Sequence, residues 1–549
     1  MKSRHQLIAV LALAAIGACT AHHGRAPDKT ETAVVLFENL GTHHHPVTTT
    51  SPQAQRYFDQ GLRLIWAFNH DEATRAFQEA AQVDSDCAMA WWGIALAAGP
   101  NYNDSGNRER DRRAHDALEK ALASKSAVTD AERAYIDALA KRYAKEPPDD
   151  RKALDIAYAD AMRGVAQHYP NDLDAATLFA ESLMDLRPWD LWTLDGKPQP
   201  GTEEIVATLE SVLARDPNHP GANHYYIHAV EASKQPERGI AAADRLKALV
   251  PGAGHLVHMP SHIYMRVGRY DEAVEANVRA VAVDREYLAV AKPEGMYPMM
   301  YYAHNFDFLW SAASMEGRSA DTIRAAREVA AQLTPDMARQ MSDVEGILVA
   351  PLFALARFGK WPEILQEPAP PDDLPYARGS WHYARGLALM HTGRLADAER
   401  ERAALDAVAA ATPPQRSIGQ VNTAKTVLTL ASHVLAGELA AARGKSREAI
   451  RHLEEGVRMQ DNLRYMEPPP WYYPVRQSLG VAFLKAGRAA EAEAVYRADL
   501  QRNPENGWSL YGLAQSLRAQ KKTAEAAAVE KRFKKAWARA DVKLLASRF

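Results

Sequence analysis

Residues 480–504 read GVAFLKAGRAAEAEAVYRADLQRNP, with Gly480, Gly487, Ala492, Tyr496 and Pro504 at successive spacings of 7, 5, 4 and 8. Each residue type has a physical reason at its place. Small residues such as Gly480 and Ala492 let two helices approach closely, Gly487 opens a tight turn, and Pro504 ends the second helix. The stretch therefore predicts a helix–turn–helix hairpin.

The same frame recurs along the chain. Gly61, Ala73, Phe77 and Ala80 mark a first unit; Gly268, Tyr270 and Ala273 one in the middle; Gly386, Gly393 and Ala398, then Gly437, Gly444 and Ala449, two later ones. A period of 34 residues is the mark of stacked hairpins, each burying its apolar face on its neighbours. On these residues the chain resembles the tetratricopeptide repeat family over nearly its whole length. The resemblance implies an all-α fold, a right-handed α-solenoid of about a dozen TPR-like hairpins, with a concave groove that takes a peptide or protein partner. The opening Leu40-Gly41-Thr42-His43-His44-His45-Pro46-Val47-Thr48 resembles uncharacterised bacterial tetratricopeptide lipoproteins, which names a family but no activity. Loops are expected at Arg187 to Gly201, Glu286 to Met300, Gln366 to Pro375 and Met466 to Pro474.

At 549 residues the chain exceeds one compact core, which a repeat array accommodates. Its 66 Lys and Arg nearly balance 69 Asp and Glu, so no basic excess points to nucleic acid. Lys2 and Arg4, the apolar run Leu7 to Ile16, and Ile16-Gly17-Ala18-Cys19 resemble a bacterial lipoprotein signal. Lipidation at Cys19 would make a lipid anchor the membrane attachment, and Thr20 after it leans toward the outer membrane facing the periplasm. Five segments are expected: a signal at 1–18, a linker and His-rich strap at 19–50, and repeats at 51–170, 171–335 and 336–549. Cys87 is the other of two cysteines, in an apolar run, and reads as a small buried hydrophobe.

The histidines fall in register. His224, His228 and Glu231 share one helix face at i, i+4 and i+7, and His258 and His262 stand 34 residues after His224 and His228. His255 precedes His258 on the same face. Aligning Gly317 with Gly268 puts His304 at the place of His255 and Asp307 at that of His258. Aligning Pro170 with Pro217 puts Glu181 at the place of His228. By the tetratricopeptide resemblance these are groove-lining places, so the nine residues are expected to converge from four adjacent helices. Pro260 falls inside this pattern, so either the helix is kinked or His255 stands on the preceding loop.

Neutral imidazole is the commonest metal ligand, and the cluster points to one or two transition-metal ions. Without thiolates, copper and zinc fit best and iron also fits; Met259, Met265, Met296, Met299 and Met300 nearby favour copper. A polar groove that hydrogen-bonds a peptide is the plainer alternative. His43, His44 and His45 are expected to form a solvated loop, and His70 to cap or pack at a turn. Asn101, Asn103, Tyr264, Tyr301, Tyr302 and Glu467 have no assigned role. No nucleophile elbow or phosphate loop is present, and Gly444-Lys445-Ser446 lies at a hairpin turn. Two readings result: an envelope binding scaffold with a metal in its groove, or a metalloenzyme, a copper-type oxidase or metal-dependent hydrolase.

Overall fold

The computed structural model describes residues 34–293, 295–419 and 421–549; the signal and Cys19 lie outside the described residues. Helix follows helix from Pro52–Trp66 to Thr523–Ala536, and the sole sheet among the described residues is a two-residue pairing of Ser417–Ile418 with Asn422–Thr423. The fold is an all-α solenoid of helical hairpins. No described helix is long and apolar enough to cross a membrane.

Side-chain caps set where helices begin. Ser51, Asn69, Asp172 and Asn506 each accept a backbone N–H of the first turn, and Thr129 with Glu132 forms a reciprocal capping box. Hairpins close through glycine on aromatic: a Cβ at Gly61 or Gly93 would meet the Phe77 ring at 2.5 Å, and one at Gly480 or Gly512 the Tyr496 ring at 2.3 and 2.2 Å. One ring thus sits between the first helices of two successive units at both ends of the array.

The turn residue repeats as well. Gly268, Gly317, Gly393, Gly444 and Gly487 take φ between 72° and 81°, and the residue after each is the N-cap of the next helix. In the first hairpin the same place, between Pro52–Trp66 and His70–Val83, holds Phe68 at φ 55°. A left-handed conformation costs a side chain roughly 1–2 kcal/mol, so an aromatic there is conspicuous.

Two expectations about loops change. The helix Tyr270–Ala291 takes in 286–291 of the segment 286–300 and Tyr297–Tyr301 forms a further helical turn, with Tyr287 held against Phe37 and Tyr297 at ring distances of 5.9 and 5.4 Å. Pro260 kinks rather than ends its helix: Gly254–His258 passes through Met259, still right-handed (φ −50°, ψ −36°), into Pro260–Val267. His255 is therefore on a helix.

The array curls so that its C-terminal third returns to its middle. Trp508 Nε1 donates to the Ser314 carbonyl at 2.9 Å, and Asp541 accepts the backbone N–H groups of Ser319 and Ala320, capping that helix. The loop before Val475–Lys485 reaches the central repeats, where Arg464 pairs with Asp190 at 2.7 Å and Tyr465 donates to Glu231 at 3.2 Å. Replacing Gly512 by Val drives a side chain into Tyr496 and is expected to cost about 1–3 kcal/mol, read as a lower thermal midpoint by circular dichroism; Gly444→Ala, where nothing lies within 4 Å of the added Cβ, acts only through its φ of 72°.

Candidate metal centre

The helices Pro220–Glu231, Gly254–His258, Pro260–Val267 and Tyr302–Met315 bring six imidazoles together. They form two trios. His224, His228 and His255 make the first, and His258, His262 and His304 the second; within each, one ligand atom per residue lies within 4.8 Å of the others. His228 and His262 rings meet across the trios at 5.3 Å, and His255 and His258 at 5.8 Å. Each trio is two histidines four apart on one unit plus the leading histidine of the next. The second repeats the first one period later.

Hydrogen bonds on the outer ring nitrogens decide what the inner ones carry. His224 Nδ1 faces the Trp66 carbonyl at 2.7 Å, His228 Nδ1 faces Glu231 Oε1 at 2.7 Å, and His262 Nδ1 faces Glu231 Oε2 at 2.5 Å. His258 Nδ1 lies 2.6 Å from Asn277 Oδ1, whose amide nitrogen is committed to the Ala273 carbonyl. All four partners are oxygens that only accept, so all four Nδ1 atoms carry the proton and the four Nε2 atoms are bare. The bare His258 and His262 Nε2 atoms stand 2.9 Å apart with no proton between them. In the first trio His224 and His255 Nε2 are 3.1 Å apart, while His228 Nε2 and His255 Nδ1 are buried without a hydrogen-bond partner. Converging lone pairs repel each other unless a cation sits among them.

Electrostatics keep His224, His228, His255, His258 and His304 neutral. Burial, joined by the neighbouring imidazoles, holds His224, His255 and His258 well below the usual histidine range and pushes His304 down to about 3. Burial alone would raise Glu231, but the His262 and His228 rings outweigh it and hold the carboxyl well below its usual range. Glu231 is thus an anion with both oxygens engaged, orienting one ring of each trio.

Two expected ligands stand apart. Glu181 is in neither trio: its carboxyl bonds to Asp185 beside the buried Arg142, whose charge Asp185 neutralises. Burial and the Asp185 charge keep Glu181 protonated. Asp307 lies three residues after His304 and faces the same cavity, but its Oδ1 accepts Trp310 Nε1–H at 2.6 Å, and burial pushes it up to about 6. It belongs to no ligand group. His43 and His45 are pinned rather than solvated, while His44 is hydrogen-bonded but stays exposed. His43 Nε2 and His219 Nε2 meet Asp174 Oδ1 at 2.9 and 3.0 Å, His45 Nδ1 meets Asp174 Oδ2 at 2.8 Å, and His44 Nδ1 meets Asp59 at 2.8 Å.

This Asp174 cluster also has metal-like spacing, but fails on tautomer. His219 Nδ1 accepts the Ala222 backbone N–H at 3.1 Å, so its proton is on Nε2, pointing at Asp174. A ligand needs that nitrogen bare. The strap is held by protons.

The six-histidine centre opens on a cavity of about 610 Å³ lined by His228, His255, His262 and His304 together with Phe68, Tyr102, Trp189, Tyr301 and the stretch Met466 to Pro470. His70 also lines it, pushed down to about 4 by burial and the Arg110 charge. Phe68, Tyr102 and Trp189 all touch His228, at ring distances of 6.0, 5.2 and 5.8 Å. None was singled out in the sequence, although Phe68 at a place where sister turns hold glycine was a readable signal.

The tetratricopeptide repeat family model matches residues 478–541, and that stretch carries tetratricopeptide repeats. No curated protein matches the sequence significantly. Among solved structures, the P58(IPK) TPR domain aligns at 14% identity over 86% of this chain and 99% of that one, with a TM-score of 0.22. A human IFIT1 dimer with m7Gppp-AAAA aligns at 13% over 89% and 91%, TM-score 0.34, and the APC/C hetero-tetramer Cut9-Hcn1 at 13% over 89% and 74%, TM-score 0.29. At such TM-scores the overlap carries no argument about this site.

The tautomers are directly measurable. In protein labelled with 15N-histidine and stripped of metal, long-range proton–nitrogen spectra are expected to show His224, His228, His258 and His262 protonated on Nδ1 and His219 on Nε2. Nε2-protonated His258 and His262 would remove the basis for a cation there.

Proposed function

We propose that this protein is a metalloenzyme holding two transition-metal ions, one in each histidine trio, in front of a cavity for a small molecule. The observation that carries this is the convergence of bare Nε2 atoms, with His258 and His262 Nε2 2.9 Å apart and each ring fixed from behind by an oxygen. Three protein ligands per ion is the number that leaves a coordination position for water or substrate. The repeat array is itself a binding framework, and a cavity of about 610 Å³ suits a small molecule better than an extended peptide.

Copper fits the donor set best. All six ligands are neutral, and the sole anion in the group, Glu231, is engaged at both oxygens by imidazole N–H. Hard dications favour carboxylate oxygens, whereas imidazole without carboxylate suits copper, and singly charged cuprous ions add least net charge to a dry site. Zinc would also find three imidazoles, and Asp307, which faces the cavity with its carboxyl pushed up to about 6, would be the general base of a hydrolytic alternative. The all-imidazole donor set favours oxidase chemistry. The N-terminal signal supports export and anchoring through Cys19 in the bacterial envelope.

Elemental analysis of protein expressed with ample copper is expected to find about two ions per chain. His228→Ala should remove one and His228→Ala with His262→Ala both, with far-ultraviolet circular dichroism unchanged. Glu231→Gln should lower affinity at both positions by about 10–100-fold. Protein that takes up no copper, zinc or iron would overturn the reading.

A further inference from the structure

The two trios are alike in their ligands but differ toward the cavity. His304 of the second is half-buried and faces the cavity, as does Asp307. In the first, His228 and His255 also line the cavity but are only 2% and 1% exposed beneath aromatic rings. Phe68, 2% exposed, lies on all three of its rings, edge-on to His224 at 4.5 Å and stacked on His228 and His255 at 6.0 and 5.5 Å with interplanar angles of 16° and 22°. Trp189 stands edge-on to His228 at 5.8 Å, backed by Tyr102 stacked on it at 5.3 Å and by a bond from its Nε1 to Asn103 Oδ1 at 3.2 Å.

Backbone geometry marks the same two residues. Five described non-glycine residues have positive φ: Phe68, Trp189, Lys292, Glu505 and Lys521. Two of the five are large aromatics, and both are on His228. At the Phe68 place the sister turns hold Gly268, Gly393, Gly444 and Gly487, which adopt that conformation freely, and in the last hairpin the exposed Lys521; no other described turn of the series puts an aromatic there. Backbone strain of this kind persists where the surroundings enforce it and gathers at functional sites. The second trio has its own phenyl, Phe308, at 4.5 to 4.9 Å from its rings, but Phe308 comes from the helix behind and does not line the cavity.

We propose that Phe68 and Trp189 form an aromatic cover over the first trio, so that a small ligand carrying one donor atom on a flat apolar body meets the centre at His258, His262 and His304. The cover makes two sites of equal ligand set unequal in access: the inner position holds its ion behind the Phe68 and Trp189 rings that edge the cavity, and the outer one takes the ligand. The ligand body lies against the aromatic wall, while His304 and Asp307 mark the point of entry. The assignment of ions rests on the metal reading above; the cover itself does not.

Diethyl pyrocarbonate, which modifies bare imidazole nitrogens, tests the cover on the full chain after metal is removed by a chelator. By peptide mass spectrometry His304 should react first among the six clustered histidines of the unaltered protein, with His228 and His255 protected. Phe68→Gly and Trp189→Gly, each placing glycine where φ is positive, should each speed reaction at His228, and Phe68→Gly at His255 also, on the order of tenfold. His224 and His258 should stay protected throughout, which separates uncovering from unfolding; if one variant unfolds, the other and the order in the unaltered protein still decide. Equal rates at His228, His255 and His304 in the unaltered protein, or no acceleration in a folded variant, overturn the cover. In copper-loaded protein, azide should bind once per pair in the unaltered chain and twice in Phe68→Gly. Failure to take up metal would sink the metal reading alone, because the histidine protection pattern is read without metal.

Discussion

The Glu231 carboxylate accepts one imidazole N–H on each oxygen, from His228 at 2.7 Å and from His262 at 2.5 Å, and the rest of the centre follows from those two bonds. They fix the tautomer of one ring in each trio, turn both bare nitrogens inward, and tie two repeat units together through a single buried anion. Because the group is dry, the interactions are strong and their loss is costly: an unmet buried donor carries a penalty of about 1–3 kcal/mol. Tyr465 adds a further donor at 3.2 Å from a loop more than two hundred residues away, so the curl of the array closes on the same carboxylate.

The duplication of the site is a property of the repeat. Hairpins that stack one period apart place equivalent residues side by side, so a His-x-x-x-His pair on one helix, copied into the next, produces two adjacent pairs without any further design. Each pair takes its third partner from the helix that follows, His255 and then His304. Deep rings are held by local walls, Trp66 carbonyl for His224 and Asn277 for His258, which differ because they belong to different neighbours.

Much of this was legible in the chain. The spacing of Gly480, Gly487, Ala492, Tyr496 and Pro504 reports packing distances and turn conformation that are local and periodic, and so does the offset of 34 that links His224 to His258 and His228 to His262. The placement of Glu181 and Asp307 was not legible, since register says which helix face a residue occupies but not which charge it meets there. Arg142, buried beside Asp185, draws Glu181 into another group, and Trp310 holds Asp307. The division between a cation-binding cluster and the proton-held Asp174 cluster was also out of reach: both have suitable residues, and one backbone N–H, from Ala222 to His219, separates them. Phe68 shows the opposite case, a departure from glycine in a regular series that was visible and carried information.

Crystals of the copper-loaded protein, examined by anomalous diffraction at the copper edge, test the central claim most directly. Two peaks are predicted, one among His224, His228 and His255 and one among His258, His262 and His304, with none at Asp174. A peak at the Asp174 cluster with the trios empty, or a single ion bound through Glu231 in place of the histidine nitrogens, would contradict the account.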